Sequence, residues 1–293
     1  MSGGGASGPA DDLRARTGSS PSLVLTVVGL YLRRVGGWMA TSSLVHLAQE
    51  AGSPPARTRS AITRLKRRGV LVSQPRAGSA GHVAGYVLDA AAEEMFRRGD
   101  RRIFGPRMMG SDEPWCLISY TIGEQQRPLR HQLRRRLRWI GCGAVAQGLW
   151  ICPDHLRGEV EGILEDLDAR GLATLFRVDQ LDTPGPVADA AAQWWDLEGL
   201  GARHRRFQHT VERLLPSGAE SGPESAGREG AEAFRRYLRG MDAWRDIPYV
   251  DPGLPSELLP HDWPGARSVE LFHSLQTELA DLAFEYVQGV TAH

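Results

Sequence analysis

A run of arginine and hydroxyl side chains that begins at Ser53 has the residue types that contact nucleic acid. The stretch SPPARTRSAITRLKRRGVL contains no Asp or Glu, and its pattern predicts one helix that is capped by Ser53 and closed by Gly69. Guanidinium and hydroxyl groups bind phosphates and reach base edges, whereas Thr58, Ile62 and Leu65 share the other, packing side of the helix. The candidate DNA-binding residues are four that would approach bases, Arg57, Ser60, Thr63 and Arg64, and three that would take phosphates, Arg59, Arg67 and Arg68.

The charge of the chain is segregated although its total is zero. Residues 1–153 contain 22 Lys and Arg and 10 Asp and Glu, whereas residues 154–293 contain 13 and 25. No acidic residue lies between Glu50 and Asp89, so no carboxylate there would repel phosphate. An arginine-rich face is usually only solvated surface. Its place as the third helix of a three-helix unit, in the basic half of the chain, favours contact with a polyanion.

A second acid-free span runs from Gln125 to Pro153 and contains an amphipathic helix. Leu133 and Leu137 lie on one stripe of this helix, which predicts that it packs on a sheet. Its arginines could contact phosphate, or pair with the acidic C-terminal half or across a dimer. Because an anchored helix also needs a solvated outer face, that simpler interpretation is preferred. The arginines concerned are Arg127, Arg130, Arg134, Arg135, Arg136 and Arg138.

The order of predicted elements indicates an α+β protein with three domains. After a disordered tail over 1–20, three helices and a hairpin around a glycine-rich loop predict a winged helix-turn-helix domain over 21–107. The order βαββαβ over 113–183 is typical of a ferredoxin-like domain. Residues 187–293 are predicted to form a helical C-terminal domain with a mobile polar loop near 216–230.

The sequence offers no constellation for catalysis, a metal or a cofactor. Cys116, Cys142 and Cys152 lie in apolar runs without metal-ligand spacing. Their odd number, with no signal peptide, predicts reduced, buried thiols and a cytoplasmic protein. No G-x-S-x-G, H-E-x-x-H or phosphate-binding loop motif occurs, and the predicted first central strand, WCLISYTI, has no carboxylate to hold a cation. We therefore expect a protein that is not an enzyme, has no metal or cofactor and does not bind a membrane.

Three segments carry a resemblance to a known family. They are the N-terminal pieces PSLVLTVVGLYLR, SSLVHLAQEAG and ARTRSAITRLKRRGVL, the central WCLISYTIGEQQRPLRHQLRRRLRWIGCGAVAQGLWICP, and the C-terminal WRDIPYVDPGLPSELLPHDWPGARSVELF. On these segments the chain resembles the PaaX family, the phenylacetic acid catabolism repressors, from Leu23 to its C-terminus except for the loop near residues 216–230. The wing loop RAGSAGHVAGYVLD departs from the family pattern because it lacks the usual basic residues and tyrosine pair.

The resemblance implies a DNA-binding repressor, usually dimeric, with a central domain like the CRISPR-associated Cas2 fold. It also implies a C-terminal region for dimerisation and sensing, and phenylacetyl-CoA as the effector that releases the repressor from its operator. Aromatic surfaces beside arginine could hold an aryl group and a CoA phosphate. In a helical domain, however, most tryptophans belong to the core. The candidate effector-binding residues are Trp194, Trp195, His204, Arg205, Trp244 and Arg245, with Trp263 nearby in the C-terminal signature.

Together these features predict a sequence-specific transcriptional regulator. It would be a repressor that binds a double-stranded operator as a homodimer and is released by an acyl-CoA or aryl-CoA effector, phenylacetyl-CoA-like by family analogy. Two other classes stay open at this point. One is a metal-dependent nuclease related to the Cas2-like fold, and the other is an adaptor whose basic half docks on an acidic protein.

Overall fold

The computed structural model describes residues 15–78, 81–215 and 226–292 of the chain. These residues fold into two compact units, neither of which is continuous in sequence. The first contains the N-terminal residues up to Arg101 together with 207–246 and 267–292. The second contains 102–206 and 247–266. The three consecutive domains expected from the sequence stay a prediction, since compactness groups the chain in another way.

The first unit begins with three helices followed by short strands, as predicted, and one further two-residue strand lies between the first and second helices. Helix α1 (Ser20–Val27) continues as a π-helical turn over Val28–Leu32, and most of the residues in the two segments are buried. The strands form a three-stranded antiparallel sheet of order β1-β5-β2 and a separate hairpin of β3 with β4. The remaining bounds are α2 (Thr41–Glu50), α3 (Pro55–Arg67), α4 (Ala90–Phe104), β1 (Met39–Ala40), β2 (Leu71–Ser73), β3 (Arg76–Gly78), β4 (Gly81–Val83) and β5 (Gly85–Leu88).

Helices from the C-terminal part of the chain complete the core of the first unit. These are the end of α8 (Leu197–Glu212), α9 (Ala226–Trp244) and most of α11 (Gly265–Thr291). The ring of Tyr31 lies 5.9 Å from that of Phe234 on α9 and 6.5 Å from that of Phe284 on α11. The N-terminal helices therefore share one hydrophobic core with helices about 200 residues further along the chain.

A buried polar cluster joins α1 to α9 in the same unit. Asp242 is 1% exposed and accepts hydrogen bonds from Ser22 Oγ at 2.5 Å, Thr26 Oγ1 at 2.9 Å and the Gly18 amide at 2.6 Å. Arg245 Nη2 donates to Ser22 Oγ at 2.8 Å, and its Nε lies 3.4 Å from Asp242 Oδ1. Because each buried charge has bonded partners, the cluster avoids the cost of an isolated ion in the core.

The second unit is built on a four-stranded sheet. Its elements follow in the order β6, α5, β7, β8, α6, β9, as predicted from the sequence. The sheet order is β7-β8-β6-β9 and all pairs are antiparallel. Leu133 and Leu137 of α5 are fully buried with β6 and β8 residues in one core cluster, as expected for a helix anchored on a sheet. The bounds are β6 (Trp115–Tyr120), α5 (Arg127–Trp139), β7 (Gly143–Ala146), β8 (Leu149–Pro153), α6 (Arg157–Asp166) and β9 (Ala173–Val178).

Three further features of the described residues bear on the sequence predictions. Cys116, Cys142 and Cys152 are free and buried, as predicted, and a hydrogen bond with the Cys152 thiol together with burial raises the pKa of Cys116. No helix among the described residues has the length and apolarity needed to cross a bilayer. Residues 1–14 of the predicted tail and 216–225 of the predicted loop lie outside the described residues, while α1 begins at Ser20 and α9 at Ala226, inside those two segments. The remaining helices are α7 (Val187–Trp194) and α10 (Ile247–Val250).

Candidate nucleic-acid interface

Helix α3 packs against the rest of the protein through the face that the sequence predicted to be buried. Thr58, Ile62 and Leu65 are each at most 3% exposed. The predicted N-cap at Ser53 is wrong, because the helix starts after Pro54 and no side chain caps it. Pro55 has no N–H for a serine cap to bind, and Ser53 Oγ instead pairs with Thr58 Oγ1 at 2.8 Å in the buried interface.

The opposite face of α3 presents arginines to solvent. Arg57, Arg59, Arg64 and Arg67 are exposed, and their guanidinium groups have no hydrogen-bond or ion-pair partner among the described residues. Arg68, just after the helix, is half-buried and is engaged by a neighbour. A row of unpaired guanidinium groups on a rigid helix is suited to bind phosphates and base edges without first breaking an internal ion pair.

The two candidate hydroxyl residues are exposed but already bonded to their own helix. Ser60 Oγ donates to the Ala56 carbonyl at 3.0 Å and Thr63 Oγ1 donates to the Arg59 carbonyl at 3.0 Å. A hydroxyl bonded in this way still has lone pairs that accept a hydrogen bond. In this arrangement Ser60 and Thr63 can therefore accept from a base amino group, while their own protons stay within the helix.

The two acidic residues that flank α3 in sequence bond to groups outside this helix. Glu50 Oε2 is paired with Arg235 Nη1 of α9 at 2.7 Å. Asp89 Oδ1 accepts the Ala91 amide at 3.0 Å, at the start of α4. Neither of these carboxylates is therefore paired with an arginine of α3.

The β3–β4 hairpin carries a basic group that the sequence reasoning did not single out. The Arg76 guanidinium lies 4.9 Å from the centre of the Trp38 ring, and Trp38 Nε1 donates to the Gln74 carbonyl at 2.7 Å. Lys66 Nζ lies 5.7 Å from the ring centre of Tyr86, on the neighbouring strand β5. All described hairpin residues are exposed. No sequence signal pointed to this contact, because Trp38, just before β1, and Arg76 are distant along the chain.

The described part of the chain matches models of one protein family in three successive segments. The model described as "PaaX-like protein" matches residues 19–89, "PaaX protein central Cas2-like domain" matches 109–190 and "PaaX-like protein C-terminal domain" matches 195–289. Together these matches cover most of the 293 residues. The chain belongs to the PaaX-like family. The resemblance inferred from the sequence is thus confirmed, as are the mixed helix and sheet class and the Cas2-like central domain.

Two proteins similar to this PaaX-like chain extend over nearly all of it. The transcriptional repressor PaaX of Escherichia coli (strain K12) is 26% identical over 275 residues, which are 92% of this chain and 83% of that protein. A solved structure of an uncharacterized protein from Mycobacterium tuberculosis has a TM-score of 0.55 and 25% identity, and covers 93% of this chain and 100% of that one. The similarity is therefore not confined to one of the two compact units.

The candidate effector residues of this PaaX-like chain do not all lie in one unit. Trp195 is 5% exposed and its Nε1 donates to the Gly141 carbonyl at 2.8 Å, inside the second unit. His204, 2% exposed in the same unit, has its Nε2 2.9 Å from Asp251 Oδ2 and packs edge-on against Trp263. Trp194 is half-buried next to Trp195, and Arg205 is exposed.

Trp244 and Arg245 belong to the first unit. The Trp244 ring is 1% exposed and stacks 4.7 Å from Phe272, while Arg245 is 5% exposed and takes part in the Asp242 cluster. The side chains of these two residues are thus committed to internal packing. Ligand binding by the six candidates stays a prediction.

Within residues 15–78, 81–215 and 226–292, no three His, Cys, Asp or Glu side chains come together in a way that could hold a metal ion. His155, the half-buried histidine after β8, has a pKa lowered to about 4 by burial and by the nearby Arg107 and Arg102 guanidinium groups. The carboxylates of Glu113 and Asp154 oppose this shift of the pKa but do not cancel it. Because the pKa lies well below 7, the His155 imidazole is neutral near pH 7.

Proposed function

We propose that this protein is a sequence-specific DNA-binding transcriptional regulator, a repressor, in which α3 is the recognition helix. The observation that carries the proposal is the exposed face of α3, where the guanidinium groups of Arg57, Arg59, Arg64 and Arg67 have no partner among the described residues. Similarity to a transcriptional repressor over 92% of the chain supports the same function, and it suggests a protein that is not an enzyme.

We further infer that the N-terminal region is a winged helix-turn-helix domain. Three helices, a sheet of order β1-β5-β2 and a protruding β3–β4 hairpin are the elements of such a domain, with the hairpin as its wing. In this arrangement α3 enters the major groove. Arg57, Ser60, Thr63 and Arg64 would approach bases, and Arg59, Arg67 and Arg68 would bind phosphates.

We infer a ferredoxin-like arrangement for the sheet and helices of the second unit. In the order of the chain its strands are β6, β7, β8 and β9, and their spatial order β9-β6-β8-β7 with all-antiparallel pairing is the split βαβ pattern of that fold. As the family resemblance implies, we infer that two copies bind a roughly palindromic operator and that an acyl-CoA or aryl-CoA ligand releases them. Such a ligand acts only if it binds the conformation with low DNA affinity more tightly.

Fluorescence anisotropy with labelled duplex from upstream of the gene tests the assignment of α3. Arg64→Ala should weaken binding to the specific duplex by about 1–3 kcal/mol, because a guanidinium contact to a base edge is lost. Arg203→Ala on α8 is the matched control, since it removes another exposed helical arginine outside the proposed interface. Wild-type affinity in the Arg64→Ala protein, with the control also unchanged, would remove α3 from the base-reading role.

A further inference from the structure

We propose that a cavity in the second unit, between α5 and the β7–β8 hairpin, binds a small organic anion through Arg134. The inference rests on the proposed function, because it gives a ligand-controlled regulator its ligand site. The cavity has a volume of about 600 Å³. Sites for small molecules are typically clefts of roughly 300–1,000 Å³ with an apolar lining and few polar groups, so this volume suits one small ligand.

The floor of the cavity is apolar. Ile122 follows β6, Ala144 lies on β7, and Tyr120 and Trp150 come from the paired central strands β6 and β8. Tyr120, Ile122 and Trp150 are all buried, at most 7% exposed, which makes the floor part of the packed sheet. A surface of this kind offers dispersion contacts to an aromatic or acyl group but nothing to a bare phosphodiester backbone.

The β7–β8 turn shapes the rim opposite α5. Gly148 has φ 81°, a conformation that favours glycine, and a Cβ added there would collide with the Tyr120 carbonyl oxygen. The Tyr120 amide in turn donates to the Gly148 carbonyl at 2.9 Å. These contacts fix the turn beside the end of β6 and hold Gln147, whose side chain is a neutral donor and acceptor, at the edge of the cavity.

Two arginines of α5, one helical turn apart, supply the charge. Arg130 is already engaged, since its Nη2 lies 2.6 Å from Glu124 Oε1 and its Nη1 donates to the Ile122 carbonyl at 3.3 Å. Arg134 is half-buried at the cavity wall and, among the described residues, has no hydrogen-bond or ion-pair partner. A partly desolvated guanidinium without a counter-charge favours a carboxylate or phosphate, which it can bind with two parallel hydrogen bonds.

Arg134 stands apart from its neighbours in this acid-free span. Arg136 is paired with Asp166 at 3.1 Å, and the Arg138 guanidinium lies 5.7 Å from the Trp150 ring centre. Arg136 is thus paired with a carboxylate of the acidic C-terminal half, one of the alternatives that the sequence left open, whereas Arg134 has no such partner among the described residues. Its position beside a concave apolar floor indicates a ligand with an anionic group next to an apolar group, not a duplex.

Isothermal titration of the full chain with three probes tests the proposal and separates the sources of the anion. Phenylacetate carries a carboxylate on an aryl group, coenzyme A carries phosphates without the acyl group, and phenylacetyl-CoA carries phosphates with it. At least one probe should bind the wild-type protein, and Arg134→Ala should raise its dissociation constant by about tenfold or more, the loss expected for a charge-assisted hydrogen bond. Arg135→Ala, the exposed neighbour on the same helix that does not line the cavity, should leave it unchanged.

A second variant keeps the charge of Arg134 but fills the cavity with a large side chain. Ala146→Trp at the exposed, cavity-lining end of β7 should also abolish probe binding, with the thermal transition unchanged. If no probe binds the wild-type protein, or if both variants bind as tightly as wild type, the cavity is not a ligand site. DNA binding of the same samples without probe decides the regulator function separately. A wild-type protein that binds a probe but no operator DNA would overturn the proposed function and leave the ligand site standing.

Discussion

At the scale of single residues, Asp242 places a carboxylate in the core of the first unit. It is buried against α1, accepts three hydrogen bonds and faces the buried guanidinium of Arg245. Asp242→Asn removes the negative charge but keeps the shape. We expect a loss of roughly 3 kcal/mol in the free energy of unfolding, because a buried cation is left with less compensation. Urea denaturation followed by far-ultraviolet circular dichroism measures this loss.

Asp281→Asn provides the comparison for that measurement. Asp281 lies on α11 of the same unit, is exposed, and should change stability by less than about 0.5 kcal/mol when neutralised. Equal effects of the two substitutions would show that the buried cluster does not hold α1 against α9.

The pattern of residue types along a helix predicts which face is buried better than it predicts which side chains bind a ligand. The periodicity of Thr58, Ile62 and Leu65 was enough to identify the buried face of α3, because a helix repeats its faces every three or four residues. Trp244 and Arg245 were candidates for a ligand because aromatic and guanidinium groups serve both cores and ligand sites. The structure shows how the two side chains are used. Trp244 stacks on Phe272, which is distant along the chain, and Arg245 faces Asp242, one helical turn away.

At the scale of elements, the β3–β4 hairpin offers a phosphate contact supported by Trp38. Arg76 stacks on the indole, which is itself fixed by the Gln74 carbonyl. If Arg76 binds a phosphate, Arg76→Ala should weaken binding equally to specific and nonspecific duplexes. It should also reduce the slope of log K against log salt by about 1 for each bound copy. Anisotropy titrations at several salt concentrations measure both effects.

Gly85, on the following strand β5, supplies an independent variant that disturbs the Arg76–Trp38 contact. A Cβ at this position of β5 would collide with the Trp38 ring, so Gly85→Ala should displace the indole and reproduce part of the Arg76→Ala effect. Arg97→Ala on the exposed side of α4 serves as the control, because Arg97 is paired with Glu93 and lies outside the hairpin. An unchanged salt slope in both the Arg76→Ala and the Gly85→Ala protein would exclude a wing contact through Arg76.

The elements themselves were largely predictable, and their ends were less so. The alternation and period of apolar residues predicted the order β6, α5, β7, β8, α6, β9. Helix α3 begins at Pro55 without the predicted Ser53 cap, because Ser53 Oγ bonds to Thr58 Oγ1 instead. The hairpin was predicted from its glycines, but the support of Arg76 by Trp38 depends on a contact between residues that are distant along the chain.

At the scale of the whole molecule, the sequence order of segments does not reveal which of them pack together. Residues 207–246 and 267–292 join the N-terminal helices in one compact unit, while 247–266 belong with 102–206. Each helix carries an apolar face that could serve any partner, so local patterns leave the pairing open. The pairing is set by long-range complementarity, such as Glu50 with Arg235 and Ser22 with Asp242.

The segregation of charge along the whole chain leads to a prediction that separates DNA binding from docking on an acidic protein. If Arg59, Arg67 and Arg68 of two copies neutralise about six phosphates, these contacts should contribute about −5 to the slope of log K for operator DNA against log salt. Arg67→Ala should reduce the magnitude of that slope by about 2, because each copy loses one contact.

Salt would also weaken the binding of an acidic protein partner, so the measurement that separates the two functions is a competition experiment. Unlabelled nonspecific duplex should displace the labelled operator at high concentration, whereas poly-glutamate of equal charge should not. Displacement by both polyanions alike would favour the adaptor function, since charge alone would then account for the binding.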